Sequence, residues 1–209
     1  MHYVRLFLVA IAAAGCATTS NSKSSNTQSS SPRGAEEMEA AAARTSRAVG
    51  MTAPRFAAPD QNEKTVKLDH FLGKWVVLYF YPRDDTPGCV CEATEFTDLL
   101  WKFHAVQAEV VGVSPDSPEK HRAFQKKYGL QIRLLSDTKL QVMRKYGAYV
   151  EAAVGNMKNG RVVRSTFLID PNGKIAYHWP EVIPQGHAAR VKKKLDQLRT
   201  ATDKPTGSK

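Results

Sequence analysis

The stretch that decides the fold is YFYPRDDTPGCVCEATEF, which runs from Tyr79 to Phe96. An apolar, aromatic run ends at a proline, a turn-rich loop follows, and Cys89 and Cys91 lie where a helical pattern begins. The pattern predicts that a helix starts at Cys89. In its first turn, unpaired backbone N–H groups and the positive end of the helix dipole favour a thiolate over a thiol.

Outward from this stretch, strand-like and helix-like segments alternate from about Thr52 onward. The predicted strands are 75–81, 110–113, 132–135, 161–169 and 174–179. The first predicted helix runs from Cys89 to about Val106, with apolar residues on one face, and later helices cover 118–128, 139–146 and 186–200. This order predicts an α/β fold with a mixed central sheet flanked by helices.

Closely spaced cysteines could bind a metal, form a disulfide or attack a substrate. A structural zinc site needs four ligands, so Cys89 and Cys91 would need partners such as His104 or His121. Neither histidine belongs to a second recognisable pair, and we expect no metal site. A buried structural cysteine is the commonest fate of a free Cys. It does not explain the Pro, Thr, Pro and Gly before Cys89, which favour a nucleophile.

The spacing Pro82-x-x-x-Thr86-x-x-Cys89 resembles the active-site motif of peroxiredoxins. The longer YPRDDTPGC resembles their Q-type, or bacterioferritin-comigratory-protein-like, subgroup, and the resemblance extends over about 53–198. It implies a thioredoxin-like fold and reduction of hydrogen peroxide and organic hydroperoxides without a cofactor. It also implies recycling by a thioredoxin-like protein or a small thiol, in oxidative-stress defence. Q-type relatives are often monomers, so a monomer is the default expectation.

The resemblance also implies roles for single residues. Cys89 is the peroxidatic nucleophile, Thr86 a hydroxyl that orients the peroxide, Pro82 a shield of the thiolate and Arg164 a cation beside it. Donors fixed around both peroxide oxygens would stabilise the transition state more than the ground state. Glu92 matches the residue that helps to hold the arginine, although a solvated first-turn acid is an equal interpretation.

The route by which Cys89 is recycled is open. Attack on a peroxide leaves a sulfenic acid, which must condense with another thiol. Many Q-type members supply that thiol five residues on, but here the position is Thr94, and no cysteine follows Cys91. Either an external thiol serves, or Cys91 is the resolving residue within or between chains, or Cys91 is a packed residue and another route operates. Residues two apart lie about 200° apart around a helix, so a Cys89–Cys91 bridge requires the first turn to unwind.

Cys89 and Cys91 are also compatible with a second class of reaction. Cys89-Val90-Cys91 could be the redox pair of a thiol–disulfide oxidoreductase or isomerase. The Pro82 to Thr86 approach and Arg164 favour peroxide chemistry, and the lack of a Cys-x-x-Cys weakens this alternative.

The first 15 residues predict a lipoprotein-type signal peptide. The nine apolar residues from Leu6 to Ala14 are too few to span a bilayer. They end at Ala13-Ala14-Gly15-Cys16, which resembles the bacterial lipobox, although Ala13 stands where leucine is usual. The resemblance implies cleavage before Cys16 and lipidation of its sulfur. Ordinary signal-peptidase cleavage and a cytosolic protein are the alternatives.

A linker is predicted after Cys16. Of the 18 residues 17–34, 13 are Ser, Thr, Asn or Gln, so this segment has too few apolar groups to fold. Residues 35–49 could form a short helix. The predicted organisation is therefore a lipidated, disordered segment over 16–51, a peroxiredoxin-like domain over 52–200 and a disordered tail over 201–209. The lipoprotein resemblance implies export and anchoring on the periplasmic side of a bacterial membrane. The outer membrane is favoured because Ala17 is not the aspartate that is associated with inner-membrane retention in enterobacteria.

The net charge of +10 does not by itself indicate a nucleic-acid partner. The Lys and Arg residues are scattered, and their densest run, 192–194, lies on a helix-like segment with apolar neighbours. No zinc-finger spacing, RNA-binding aromatic signature or helix-turn-helix pattern accompanies the charge. We therefore expect no nucleic-acid binding.

Overall fold

The computed structural model describes residues 48–151 and 160–202 of the 209-residue chain. The elements in chain order are β1 (Ala57–Pro59), β2 (Thr65–Lys67), a 3-10 helix (Leu68–Phe71), β3 (Trp75–Phe80), α1 (Pro87–Asp98), α2 (Leu100–His104), β4 (Ala108–Ser114), α3 (Pro118–Tyr128), β5 (Arg133–Ser136), α4 (Gln141–Lys145), β6 (Tyr149–Val150), β7 (Arg161–Val162), β8 (Ser165–Ile169), β9 (Ile175–Trp179) and α5 (His187–Thr202).

A five-stranded mixed sheet forms the centre of the domain, in the order β5-β4-β3-β8-β9. β3, β4 and β5 are parallel, whereas β8 pairs antiparallel with both β3 and β9. All six residues of β3 are buried, because helices and loops cover both faces of the sheet. The predicted α/β fold with a mixed central sheet is confirmed.

Two apolar clusters hold the layers together, one on each face of the sheet. Val77 and Tyr79 of β3 belong to the cluster with α1, α2, α3 and α5, whereas Val76, Leu78 and Phe80 belong to the cluster with α4 and the β1–β2 hairpin. This division follows from the two-residue period of a strand, which sends successive side chains to opposite faces. The helix that carries Cys89 is therefore packed on the first cluster.

The prediction that the first helix begins at Cys89 is wrong by two residues. α1 begins at Pro87, with Thr86 as its N-cap, because proline is favoured in the first helical position. The predicted continuous helix to Val106 is also wrong. The chain turns at Leu99 before α2, and this turn keeps Phe103 in the same core cluster as Phe96.

Two later boundaries differ from the prediction as well. The strand predicted over 161–169 is divided into β7, which pairs with β6, and β8, which pairs with β3; Val163 and Arg164 lie between them. The helix predicted over 139–146 is shortened to α4, because the N-cap Leu140 is left-handed, and Asp137 accepts bonds from the N–H groups of Gln141 and Met143 in the first turn.

The segment before β1 is tied to the sheet. The N–H of Gly50 donates to the carbonyl of Ile175 at 2.8 Å, and Thr52 forms an isolated bridge with Lys174. The predicted signal peptide, Cys16 and residues 17–47 of the predicted linker and short helix lie outside the described residues, as does the tail from 203 onward. Within 48–151 and 160–202, the helices lack the combined length and apolar character that crossing a bilayer requires.

Candidate active site

The site forms where the carboxyl end of β3 meets the start of β8. Phe80 is paired with Ser165 in the antiparallel register, so the residue before Ser165 lies beside the loop that leaves β3. That residue is Arg164, and the loop leads through Pro82 and Thr86 into α1. Sheet pairing therefore brings Arg164 to the first turn of the helix that carries Cys89.

Cys89 is the third residue of α1 and is a free thiol, 1% exposed. Pro87 has no N–H, and the N–H of Val90 already donates to the carbonyl of Thr86 at 2.8 Å. The side chain of Thr86 makes no capping bond, which leaves the N–H groups of Gly88 and Cys89 at the open end of the helix. Negative charge that develops at this end is stabilised by the helix dipole.

Arg164 contacts both Cys89 and Glu92. Its Nη2 lies 3.1 Å from Cys89 Sγ, and its Nη1 donates to Glu92 Oε2 in a short ion pair. The arginine side chain is 15% exposed and the glutamate side chain is fully buried. Because two nitrogens of one planar group are each fixed by a different partner, the guanidinium is held in orientation beside the sulfur.

The buried Glu92 carboxyl is the counter-ion of this arginine. Burial raises the pKa of Glu92 to about 7, although the charge and hydrogen bond of Arg164 act in the opposite direction. Burial by itself would lower the pKa of Arg164, but Glu92 and Cys89 together raise it. Of the two predicted interpretations of Glu92, the geometry therefore favours the residue that holds the arginine over the solvated acid.

Thr86 and Pro82 lie at the mouth of the site. Thr86 is half-buried, and its Oγ1 donates to the carbonyl of Arg83 at 3.2 Å, whereas Pro82 is exposed. Both residues line a groove of about 520 Å³ whose far side includes Leu140 and Val162. Their predicted roles, orienting the peroxide and shielding the thiolate, stay predictions.

Cys91 is buried in α1, and its sulfur lies in a different direction from that of Cys89. Cys91 Sγ is 3.7 Å from Glu95 Oε1, which also accepts the N–H of Gly186 at 2.7 Å, while Cys89 Sγ faces Arg164. Since the two sulfurs have different surroundings on the intact helix, a bond between them would require α1 to open, as the two-residue spacing of the cysteines predicts. The resolving role of Cys91 stays a prediction.

A buried polar network that the sequence does not predict lies beneath the loop. Asp84 accepts from Tyr81 Oη and pairs with His121 of α3, both at 2.7 Å, and its N–H donates to Asp116 at 2.8 Å. The DDTPG run by itself predicts a turn, and the sequence suggests no role for His121 beyond that of a possible metal ligand. The one available signal is an aspartate four residues after the end of a buried strand, since such a residue lies early in its loop and close to the core.

Comparison with known proteins gives the family. The model of the AhpC/TSA family matches residues 49–178. Peroxiredoxin Bcp of Bacillus subtilis is 37% identical over 151 residues, which cover 72% of this chain and 96% of that protein.

Two solved structures are similar in both fold and sequence. A cysteine-to-serine mutant of Xylella fastidiosa PrxQ aligns with a TM-score of 0.68 and 33% identity, covering 72% of this chain and 96% of that one. A Xanthomonas campestris bacterioferritin comigratory protein, whose structure is described in terms of alkyl peroxide reduction, aligns with a TM-score of 0.64 and 34% identity, covering 68% and 90%. These likenesses confirm the thioredoxin-like fold.

The matched region includes the motif around Cys89 and all of the strands that position it. This chain belongs to the AhpC/TSA family as a peroxiredoxin of the Bcp/PrxQ type, and it is a thiol-dependent peroxidase that acts on hydroperoxides.

Proposed function

We propose that Cys89 is the peroxidatic residue and that Arg164 is the group that stabilises the reacting sulfur and peroxide. The observation that carries this proposal is the 3.1 Å contact between Arg164 Nη2 and Cys89 Sγ at the open end of α1. Burying an arginine charge beside a thiol is costly unless the charge is paired. Here the pairing with Glu92 offsets that cost.

In the first step the thiolate of Cys89 attacks one peroxide oxygen. The S–O bond forms while the O–O bond breaks, so sulfur is oxidised and the peroxide is reduced. The other oxygen leaves with the electron pair and takes a proton, which gives water or an alcohol. Arg164 and the N–H groups of Gly88 and Cys89 are donors directed to the charge as it moves from sulfur to oxygen.

A second step returns Cys89 to the thiol. The sulfenic acid condenses with a thiol, releasing water and forming a disulfide, and a second thiol reduces that disulfide. We favour an external reductant, a thioredoxin-like protein or a small thiol, because Cys89 and Cys91 face different surroundings on the closed helix. The same geometry argues against Cys89-Val90-Cys91 as a dithiol redox pair.

Steady-state peroxide consumption tests this assignment. The Cys89→Ser variant should lose turnover with every reductant, because Cys89 carries the sulfur that contacts Arg164. The matched control, Cys91→Ser, should retain turnover with a small thiol and with thioredoxin alike. Unchanged turnover in Cys89→Ser would overturn the proposal, and loss of turnover in Cys91→Ser would assign recycling to Cys91.

We also propose that the protein is exported and anchored by a lipid on Cys16, on the periplasmic side of a bacterial membrane, with the outer membrane favoured. The support comes from the sequence alone, from the apolar segment 6–14 and the polar linker 17–34. Metabolic labelling with an alkyne fatty acid, followed by membrane fractionation, tests it. Label should appear in the wild type and in Cys91→Ser and be absent from Cys16→Ser. Label retained in Cys16→Ser would contradict the anchor.

A further inference from the structure

The loop between β3 and α1 is held from beneath by a buried carboxylate, and this network is separate from the contacts of Cys89. Asp84 is 8% exposed, and both of its carboxylate oxygens and its N–H have partners. Oδ1 accepts from Tyr81 Oη at 2.7 Å, Oδ2 lies 2.7 Å from His121 Nδ1, and the N–H donates to Asp116 Oδ2 at 2.8 Å. Such complete pairing is expected where a buried charge has to be held in one place.

His121 of α3 supplies the long-range part of this network. The residue is fully buried, and 37 positions separate it from Asp84. Because the carboxylate can only accept, Nδ1 carries the proton and donates to it. Nε2 is buried and has no hydrogen-bond partner among the described residues. Within that part of the chain the ring is therefore held by a single hydrogen bond, and that bond is directed to the loop that precedes the active-site helix.

Asp84 is close in the chain to the start of α1, so the bond from His121 can influence where that helix begins. Asp84 lies two residues before Thr86, the N-cap of α1, and Asp85 between them has a φ of +60°, in the left-handed region that residues other than glycine adopt uncommonly, aspartate more readily than most. A strained residue next to the N-cap keeps its conformation only when the surrounding structure fixes it. Asp84 fixes the backbone before this residue and α1 fixes the backbone after it, while the Asp85 carboxylate itself accepts from Lys127 Nζ at 2.8 Å and Tyr128 Oη at 2.5 Å.

We propose that His121 and Asp84 form a positioning pair that sets the location of Thr86 and the first turn of α1 relative to Arg164. The inference rests on the proposed role of Cys89. Neither residue touches the sulfur, so both act through the loop. Loss of the pair leaves a reactive sulfur in a site whose donors are displaced, and a displacement of about 1 Å can reduce a rate by about 100-fold.

Two reactions of the reduced, full-length protein distinguish positioning from simple structural support. Oxidation by hydrogen peroxide needs the donors in place, whereas alkylation by iodoacetamide needs only an accessible thiolate. Both rates can be followed at Cys89 by peptide mass spectrometry. In His121→Leu the oxidation rate should fall about tenfold or more, while the alkylation rate stays constant or rises because the loop over the buried sulfur loosens.

The conservative variant His121→Asn keeps an N–H donor close to the place of Nδ1 and should recover most of the oxidation rate. The control Arg122→Ala breaks an exposed ion pair between the same helix, α3, and Glu63 at 3.0 Å, away from the loop before α1, and should stay within about twofold of wild type, since exposed pairs contribute little. Should His121→Leu fail to fold, Asp84→Asn replaces it, with the same predicted separation of the two rates.

Equal losses of both rates in the His121→Leu and Asp84→Asn variants, an unchanged oxidation rate in either of them, or no recovery in His121→Asn would overturn the positioning role. The oxidation rate of wild-type Cys89 shows which of the two proposals a negative result rejects. If peroxide fails to oxidise Cys89 in the wild-type protein, the proposed function is wrong, whereas normal wild-type oxidation with insensitive His121 variants rejects only the positioning pair.

Discussion

Arg164 Nη2 lies 3.1 Å from Cys89 Sγ, although 75 residues separate the two in the chain. The contact depends on the antiparallel pairing of β3 with β8, which places the start of one strand beside the end of the other. It also depends on the break between β7 and β8, which frees Arg164 from the strand ladder. The central sheet thus positions a cation that the local sequence around Cys89 does not contain.

Arg164 should be required for the reaction with peroxide. The Arg164→Met variant should lower the second-order rate of Cys89 oxidation by about 10²–10³-fold, the range typical of removing one oriented donor. Arg164→Lys should be intermediate, because an ammonium keeps the charge but cannot hold two partners with one planar group. Rapid-quench mass spectrometry gives the rates.

Arg55→Met is the control for the lost positive charge, since Arg55 is exposed and pairs with Asp69 away from the site. It should react at the wild-type rate. An Arg164→Met variant that reacts as fast as Arg55→Met would remove the arginine from the mechanism.

Glu92 should make the stability of the fold depend on pH. Because burial raises the pKa of this carboxyl from 4.5 to about 7, the folded state favours its protonated form, and stability falls as pH rises between those values. The free energy of unfolding of the wild type should fall by about 3 kcal/mol more than that of Glu92→Gln across this interval. Urea titrations at a series of pH values measure the difference.

Glu119→Gln serves as the control for that measurement, because this exposed carboxyl has a lowered pKa, caused first by the hydroxyl of Ser117. Its stability should follow the wild-type slope between pH 4.5 and pH 7. Parallel curves for the wild type and Glu92→Gln would show that Glu92 does not titrate in this range.

Gly112 should not tolerate a side chain. It is the register partner of Tyr79, and a Cβ at this position would lie 2.6 Å from Cζ and Oη of the tyrosine ring. The Gly112→Ala variant should lose about 1–3 kcal/mol, as overpacked cores do. Tyr79→Phe should be neutral or stabilising, since the buried hydroxyl has no partner in the described part of the chain.

The double variant Tyr79→Phe/Gly112→Ala should recover part of the loss, because it removes the oxygen that the new methyl group meets. Chemical denaturation of all three variants provides the comparison. A Gly112→Ala protein as stable as the wild type would contradict this close approach of β3 and β4.

Much of the architecture could be predicted from periodicity and turn residues. β3 and the helix after it follow from the seven-residue apolar run 75–81 and the Pro-Gly loop, and the helix predicted over 118–128 coincides with α3. The helix start was displaced because Pro87 and Gly88 were assigned to the turn, although proline is well suited to a first helical position. The division of 161–169 was missed because both halves have strand-forming residues, and only pairing with different partners separates them.

The site residues that belong to a sequence motif could be predicted, whereas those that only tertiary contacts bring together could not. Cys89, Thr86 and Arg164 follow from resemblance, and the structure brings the arginine, the cysteine and Glu92 together. The burial of Asp84 against His121 could not be predicted, because an aspartate in a turn and a histidine on a helix are ordinarily solvated. Only the packing of α3 beneath the loop makes them partners.

The most direct test of the account is sulfenic acid trapping on the full-length reduced protein with an equimolar amount of hydrogen peroxide. Peptide mass spectrometry should find the trapped adduct on Cys89, at wild-type level in Cys91→Ser and strongly reduced in Arg164→Met. An adduct that forms on Cys91 instead, or a Cys89 that stays reduced while peroxide is consumed, would contradict the assignment of Cys89 as the residue that attacks peroxide.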